Sequence, residues 1–261
     1  MIYWFSGTGN SRWAATELAA ALNERLFAMA DILWGKTEMP QFESDDEPVG
    51  LVFPVNGWMP PAIVRRFVRT KLAGSLAGRY LFTVMTCGDD VGLAMRVLDG
   101  DLRHSTGREN DARFTLVMPE SYVCLPFFNV DSDEKRRQKI SKAKEDVSGM
   151  ADMVRRRQTG LDLALRGRMP WTKTYVLGWL FNSLLVTDRP FRVDARRCIH
   201  CGLCAKVCPV GNISYNADRL PVWKKDKTCT NCMACYHHCP HHAINYWTTR
   251  HKGQYVFKDE E

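Results

Sequence analysis

Eight of the ten cysteines fall into two copies of one spacing, Cys198-x2-Cys201-x2-Cys204-x3-Cys208-Pro209 and Cys229-x2-Cys232-x2-Cys235-x3-Cys239-Pro240. Thiolates are the ligands of iron–sulfur cubes. Three closely spaced cysteines wrap one set of corners, and in the two-cluster form of this run the fourth ligand comes from the other copy. The spacing predicts two [4Fe–4S] clusters, one on Cys198, Cys201, Cys204 and Cys239, the other on Cys229, Cys232, Cys235 and Cys208. Zinc also uses C-x2-C pairs, but two full four-cysteine runs, each closed by Pro, argue against it.

From about Arg189 to Trp247, around these runs, the chain resembles the bacterial two-cluster ferredoxins. The resemblance implies a small α+β unit of pseudo-twofold symmetry that passes single electrons and has no substrate of its own.

A second chemical signal stands at the other end. Met1–Phe5 reads as a strand, followed at once by Ser6-Gly7-Thr8-Gly9-Asn10-Ser11 and then by apolar residues at Ala15, Leu18, Ala19, Leu22 and Leu26 with helical period. A strand, a glycine-and-hydroxyl loop and a helix present backbone N–H groups to a phosphate. The dinucleotide fingerprint is not met, since Arg12 stands at its third glycine, and the P-loop pattern is absent. Further strands are expected at Leu26–Ala30, Val49–Val55, Arg79–Thr86 and Ala112–Met118. Helices are expected over Pro61–Leu72, Leu93–Leu102 and Asp133–Gln158, the last N-capped by Ser132. Five strands with intervening helices give a doubly wound parallel α/β sheet with ligands at the C-terminal strand ends.

The loops at those ends are Ser6–Ser11, Pro54-Val55-Asn56-Gly57-Trp58 and Thr86-Cys87-Gly88-Asp89. Together with the first strand and helix they resemble the flavodoxin family over about residues 1–160. The resemblance implies FMN, with Ser6–Ser11 on its phosphate, Trp58 stacked on the ring, the Asn56–Gly57 peptide near flavin N5 and backbone around Gly88 and Asp89 at the pyrimidine edge. Many flavodoxins carry a Tyr in the third loop. Here Asp89-Asp90-Val91-Gly92 has no aromatic, which leaves that flavin face open to a substrate, a partner or the chain's own cluster domain.

The expected organisation is a flavodoxin-like domain over 1–160, a structured apolar linker over 161–188, and a ferredoxin domain with a C-terminal tail over 189–261. The stretch Pro170–Val186 is apolar but too short and polar for a membrane span, so it is expected to pack as a linker between the domains, with no membrane contact. Cys87 and Cys124 read as small buried groups, and the pairs His237-His238 and His241-His242 as surface histidines beside a cluster. The formal charge of +7 is uneven: residues 189–261 carry 12 Lys/Arg against 6 Asp/Glu, residues 1–188 carry 24 against 23. The basic end suits compensation of anionic clusters or the docking of an acidic carrier. No basic run interleaved with aromatics points to nucleic acid. Met1 leads directly into apolar residues with no signal-peptide pattern, so the expected compartment is the cytoplasm.

FMN and two one-electron clusters on one chain would form a redox circuit, as in the flavodoxin–ferredoxin fusion proteins of mostly anaerobic prokaryotes, which this chain resembles. No nicotinamide fingerprint is present. The expected role is a low-potential electron carrier between FMN, the clusters and redox partner proteins. The alternative is an FMN-dependent reductase of a small organic or quinone-like substrate.

Overall fold

A computed structural model describes residues 1–73, 76 and 78–258; the last three residues of the expected C-terminal tail lie outside the described residues. Met1 to Leu163 form one layered α/β unit. Its strands are β1 (Ile2–Trp4), β2 (Leu26–Ala28), β3 (Val49–Pro54), β4 (Leu81–Cys87), β5 (Ala112–Val117) and β6 (Leu161–Leu163), in the order β2-β1-β3-β4-β5-β6. All pairings are parallel. The order of the first five is that of flavodoxin-type doubly wound folds. β3 and β4 are apolar and almost wholly buried, as central parallel strands must be.

Helices α1 (Asn10–Leu22) and α5 (Asp133–Arg155) cover one face of the sheet, with Leu18, Val147 and Ala151 packed on Val52, Val84 and Phe114. Helices α2 (Met29–Leu33), α3 (Ala62–Lys71) and α4 (Ala94–Thr106) cover the other, with Ile32, Phe67 and Leu98 packed on Leu51, Phe53 and Met85. Ser132 caps α5 by accepting from Lys135 N, and Asp133 and Glu134 occupy its first turn, where the helix dipole favours anions.

The expected five strands are six. Leu161–Leu163, assigned to the linker, adds β6 to the β5 edge. Three half-exposed residues are too few for a period-two pattern to register. The rest of that segment is helical, a π-helical stretch over Thr172–Gly178 running into α6 (Trp179–Leu184). The second strand ends at Ala28, two residues early, because Met29 already turns into α2. Among the described residues, no helix is long and apolar enough to cross a membrane.

The C-terminal unit contains β7 (Phe191–Val193), α7 (Leu203–Lys206), β8 (Ile213–Tyr215), β9 (Pro221–Trp223), α8 (Ala234–His237) and β10 (Ile244–Tyr246). β7 pairs antiparallel with β10, and β8 with β9. The halves repeat in backbone detail: left-handed residues at His200, Gly202 and Gly211 recur at Asn231, Met233 and His242. Phe191 and Trp223 stack at 4.9 Å between them.

Candidate functional site

The tight left-handed turns within each cysteine run aim its thiols inward. Cys198, Cys201, Cys204 and Cys239 line one small cavity. Cys208, Cys229, Cys232 and Cys235 line a second. Each fourth cysteine has thus crossed to the other run's cavity. Among the described residues, no three His, Cys, Asp or Glu groups converge closely enough to grip a single metal ion; the thiols stand apart around a space. Backbone N–H groups point at sulfur from Asn212 to Cys208 (3.3 Å), Asn231 to Cys229 (3.4 Å) and Ala243 to Cys239 (3.3 Å). Burial raises the thiols of Cys204, Cys229, Cys232 and Cys235 above the ordinary range. Bare, they stay protonated; a bound metal displaces those protons. The cavities differ in exposure. Cys201 is open to solvent, whereas Cys235 is buried beneath Trp223 and Tyr236.

A larger cavity of about 310 Å³ opens at the C-terminal ends of β1, β3 and β4, within the range of small-molecule sites. Ser6, Gly7, Thr8, Asn10, Ser11, Pro54, Val55, Asn56, Gly57, Trp58, Thr86, Cys87, Gly88 and Asp89 all line it. Gly9 faces away, against Phe257, in a left-handed conformation (φ +102°) that starts α1. The Ser6 hydroxyl accepts from Gly9 N at 3.1 Å. The side chains of Asn10 and Ser11 brace the loop: Asn10 donates to Pro119 O (2.9 Å) and accepts from the Tyr255 hydroxyl (2.8 Å), and Ser11 shares a hydrogen bond with Thr86 (2.7 Å). Asn56–Met59 is a two-residue reverse turn with Gly57 and Trp58 both at φ +55°. Holding a tryptophan left-handed costs about 1–2 kcal/mol. Lys173, paired with Asp90, sits 5.5 Å from the Trp58 ring centroid and props it.

The cavity's remaining wall was not legible in the three loops. Tyr122 and Phe128 follow β5, Phe181 comes from α6, and Thr230, Asn231, Cys232 and Met233 come from the second cysteine run. Tyr122 meets Phe128 and Phe181 edge-on at 5.7 and 5.5 Å. The chain's own cluster unit closes on the first two loops, whereas the third loop meets the segment before α6, where Lys173 pairs with Asp90. Asn56 donates to Thr230 O at 3.1 Å, and Gly7 packs so tightly on Cys232 that a Cβ there would lie 2.5 Å from its carbonyl oxygen.

Four titratable groups of low exposure stand nearby. Burial lifts the Glu120 carboxyl above the usual range although it accepts from Ser121 N (2.9 Å) and Tyr122 N (2.7 Å). Burial also pushes the Cys87 thiol up to about 12, which keeps it a neutral packing group. Cys124, equally buried, packs on Met233 with sulfurs 3.2 Å apart. His237 corrects the sequence expectation. It is 4% exposed, and burial pushes its pKa down to about 4. Tyr255 N donates to its Nδ1 (3.1 Å), so the proton is on Nε2, which donates to Ser121 O (2.7 Å). It pins α8 to the loop after β5. His241 and His242 are exposed as expected.

Residues 191–240 match the family described as 4Fe-4S dicluster domain. An uncharacterized ferredoxin of Methanocaldococcus jannaschii is 36% identical over 62 residues, which cover 20% of this chain and 70% of that protein.

Proposed function

The chain belongs to the dicluster [4Fe–4S] ferredoxins through its C-terminal region, and from that premise we propose that the whole chain is an electron carrier joining FMN in the N-terminal cavity to two clusters. The observation that carries the reading is the shared wall: Cys232 lines both the large cavity and the second cysteine cavity. An occupant of the large cavity therefore lies against a cluster ligand.

The cavity's residues fit FMN. The N-terminus of the 13-residue helix α1 and the Ser6–Thr8 backbone offer N–H groups and a favourable dipole to a phosphate. Trp58, Tyr122, Phe128 and Phe181 give an aromatic-lined chamber for a flat ring. When bound, FMN would supply interconversion between two-electron and one-electron steps. Trp58 and the Thr230–Met233 segment would flank the group and keep water from it, with the carboxyl of Glu120 held beside Gly88. The cluster assignment follows the cavity linings: an inner cluster on Cys208, Cys229, Cys232 and Cys235 beside the large cavity, and an outer one on Cys198, Cys201, Cys204 and Cys239 at the surface. Exposed Arg196, Arg197 and Arg219 flank the outer site, so the fitting partner is an acidic redox protein that docks there.

Anaerobic reconstitution with iron, sulfide and FMN, followed by an optical and EPR redox titration, tests this. One bound flavin and two cluster signals per chain are expected. Two clusters with no retained flavin would overturn the N-terminal half of the reading and leave the ferredoxin half standing.

A further inference from the structure

The helix over residues 172–184 turns one side to the protein and leaves the other bare. Thr174, Gly178 and Phe181 face inward, buried. Trp171, Tyr175, Trp179, Leu180 and Leu184 face outward; Trp171, Trp179 and Leu184 are 62%, 61% and 65% exposed. Rings of this size seldom stand bare in a row on a soluble surface, and contiguous apolar patches mark interaction sites. A second apolar element stands beside them. Tyr122 touches both Phe181 and Phe128, so the loop carrying Phe127, which is 99% exposed, lies next to the helix.

We infer that this face rests on an anionic lipid surface, with Trp171, Tyr175, Trp179, Leu184 and Phe127 entering the interfacial layer. Three observations select lipid over a protein partner. The stretch 163–187 holds no Asp or Glu; Arg166 pairs with Asp162 and Lys173 with Asp90, which leaves exposed Arg168 beside the apolar face to meet an anionic headgroup. The exposed set is Trp–Tyr–Trp at four-residue spacing with Leu between, the amphipathic ring types that settle at headgroup level. The surface is a convex helix and a protruding loop, which a deformable layer can receive. The helix measures at most about 20 Å against a hydrocarbon core of about 30 Å, so it lies in the interface and does not cross it.

The helix is also bolted to the large cavity. The Thr174 hydroxyl accepts from Leu93 N (2.8 Å), Asn182 donates to Asn56 O (3.1 Å), and Phe181 forms part of the cavity wall. Docking would hold the mouth of that cavity close to the lipid. The inference does not depend on what the cavity holds.

Sedimentation of the cluster-loaded full chain with vesicles of phosphatidylcholine alone, and of phosphatidylcholine mixed with phosphatidylglycerol, tests it. Binding to the mixed vesicles is expected, weakened by salt, with tryptophan fluorescence quenched by brominated lipid. Trp171→Phe with Trp179→Phe should stay bound but lose most of the quenching. Trp171→Glu with Trp179→Glu should weaken binding by tenfold or more while cluster absorbance is retained. A chain that stays in the supernatant with both vesicle types overturns the inference. So does binding to mixed vesicles that the Glu variants leave unchanged, or a concentration-dependent dimer that the same variants abolish.

Discussion

Gly7→Ala is the sharpest probe of the seam between the two units. Gly7 is not in a left-handed conformation, so an alanine meets no backbone penalty there and the test isolates packing. Its Cβ would lie 2.5 Å from Cys232 O and 2.9 Å from Cys232 Cβ, where ordinary contact begins at 3.4 Å. About 0.9 Å must be found against a backbone carbonyl, not against the loose end of a side chain. Overpacking of this kind costs about 1–3 kcal/mol, which raises the population of the undocked state roughly 5- to 150-fold. Gly100→Ala is the control. It lies inside α4 with nothing within 4 Å of its Cβ, and it should stabilise by about 0.5–1 kcal/mol. Amide hydrogen exchange on the cluster-loaded protein reads both. Faster exchange over Asn56–Trp58 and Thr230–Met233 is expected for Gly7→Ala alone. If the two variants match, the close approach of Gly7 to Cys232 is not what joins the units.

The His237 contribution follows from its depressed pKa. A histidine buried neutral stabilises the fold fully above its unfolded value of about 6.5 and loses that contribution as pH falls toward 4, roughly 2 kcal/mol by pH 5. Denaturant unfolding between pH 8 and 5 should show this slope, and His237→Phe should flatten it. Glu120 has the opposite sign. Its carboxyl is raised by burial, so its ionisation opposes folding as pH rises. Glu120→Gln should therefore be at least as stable at pH 8 as the parent by denaturant unfolding. Ser132→Ala removes the cap of α5 and should cost about 1 kcal/mol by thermal unfolding. Arg196→Glu with Arg197→Glu should slow reduction by an acidic two-cluster ferredoxin and weaken the salt dependence, while leaving the cluster content per chain unchanged.

The parts of the fold that follow from local pattern were readable in the sequence. β3 is an unbroken apolar run and β4 one interrupted by Thr83 and Thr86 alone, α5 carries a long stripe from Ile140 to Val154 between charged ends, and the cysteine spacing fixes its own turns. The loops around the large cavity were readable for the same reason, since each follows a strand at the switch point of a doubly wound sheet. What escaped was contact between distant segments. Tyr122, Phe181 and Met233 lie 59 and 52 residues apart in sequence and meet only because α6 folds back over the Gly57 turn and the second cysteine run closes on Gly7. His237 looked like a surface group because two histidines flank each side of Cys239; only the approach of Ser121 and Tyr255 buries it. β6 is too short to carry a pattern at all.

The two cluster sites, as assigned above, are electrostatically unequal, and the inequality gives the chain a direction. Reduction adds a negative charge to a cluster, and burial or nearby anions oppose it. The inner site is enclosed by Trp223, Met233 and Val210. The buried carboxylate of Asp188, which accepts from Asn212 (2.8 Å) and Lys225 N (2.8 Å), acts on Cys229. The outer site borders solvent at Cys201 and is lined by Arg197, Arg219 and His200. The outer cluster should therefore hold the higher potential and fill first in a titration. Asp188→Asn should raise the inner potential and narrow the gap, since the amide keeps the acceptor oxygen and loses the charge. Under the proposed function, electrons entering at the large cavity would fall from the inner cluster to the outer one, beside the basic rim. Two clusters that titrate together, and stay together in Asp188→Asn, would mean that solvent exposure and Asp188 do not set their order.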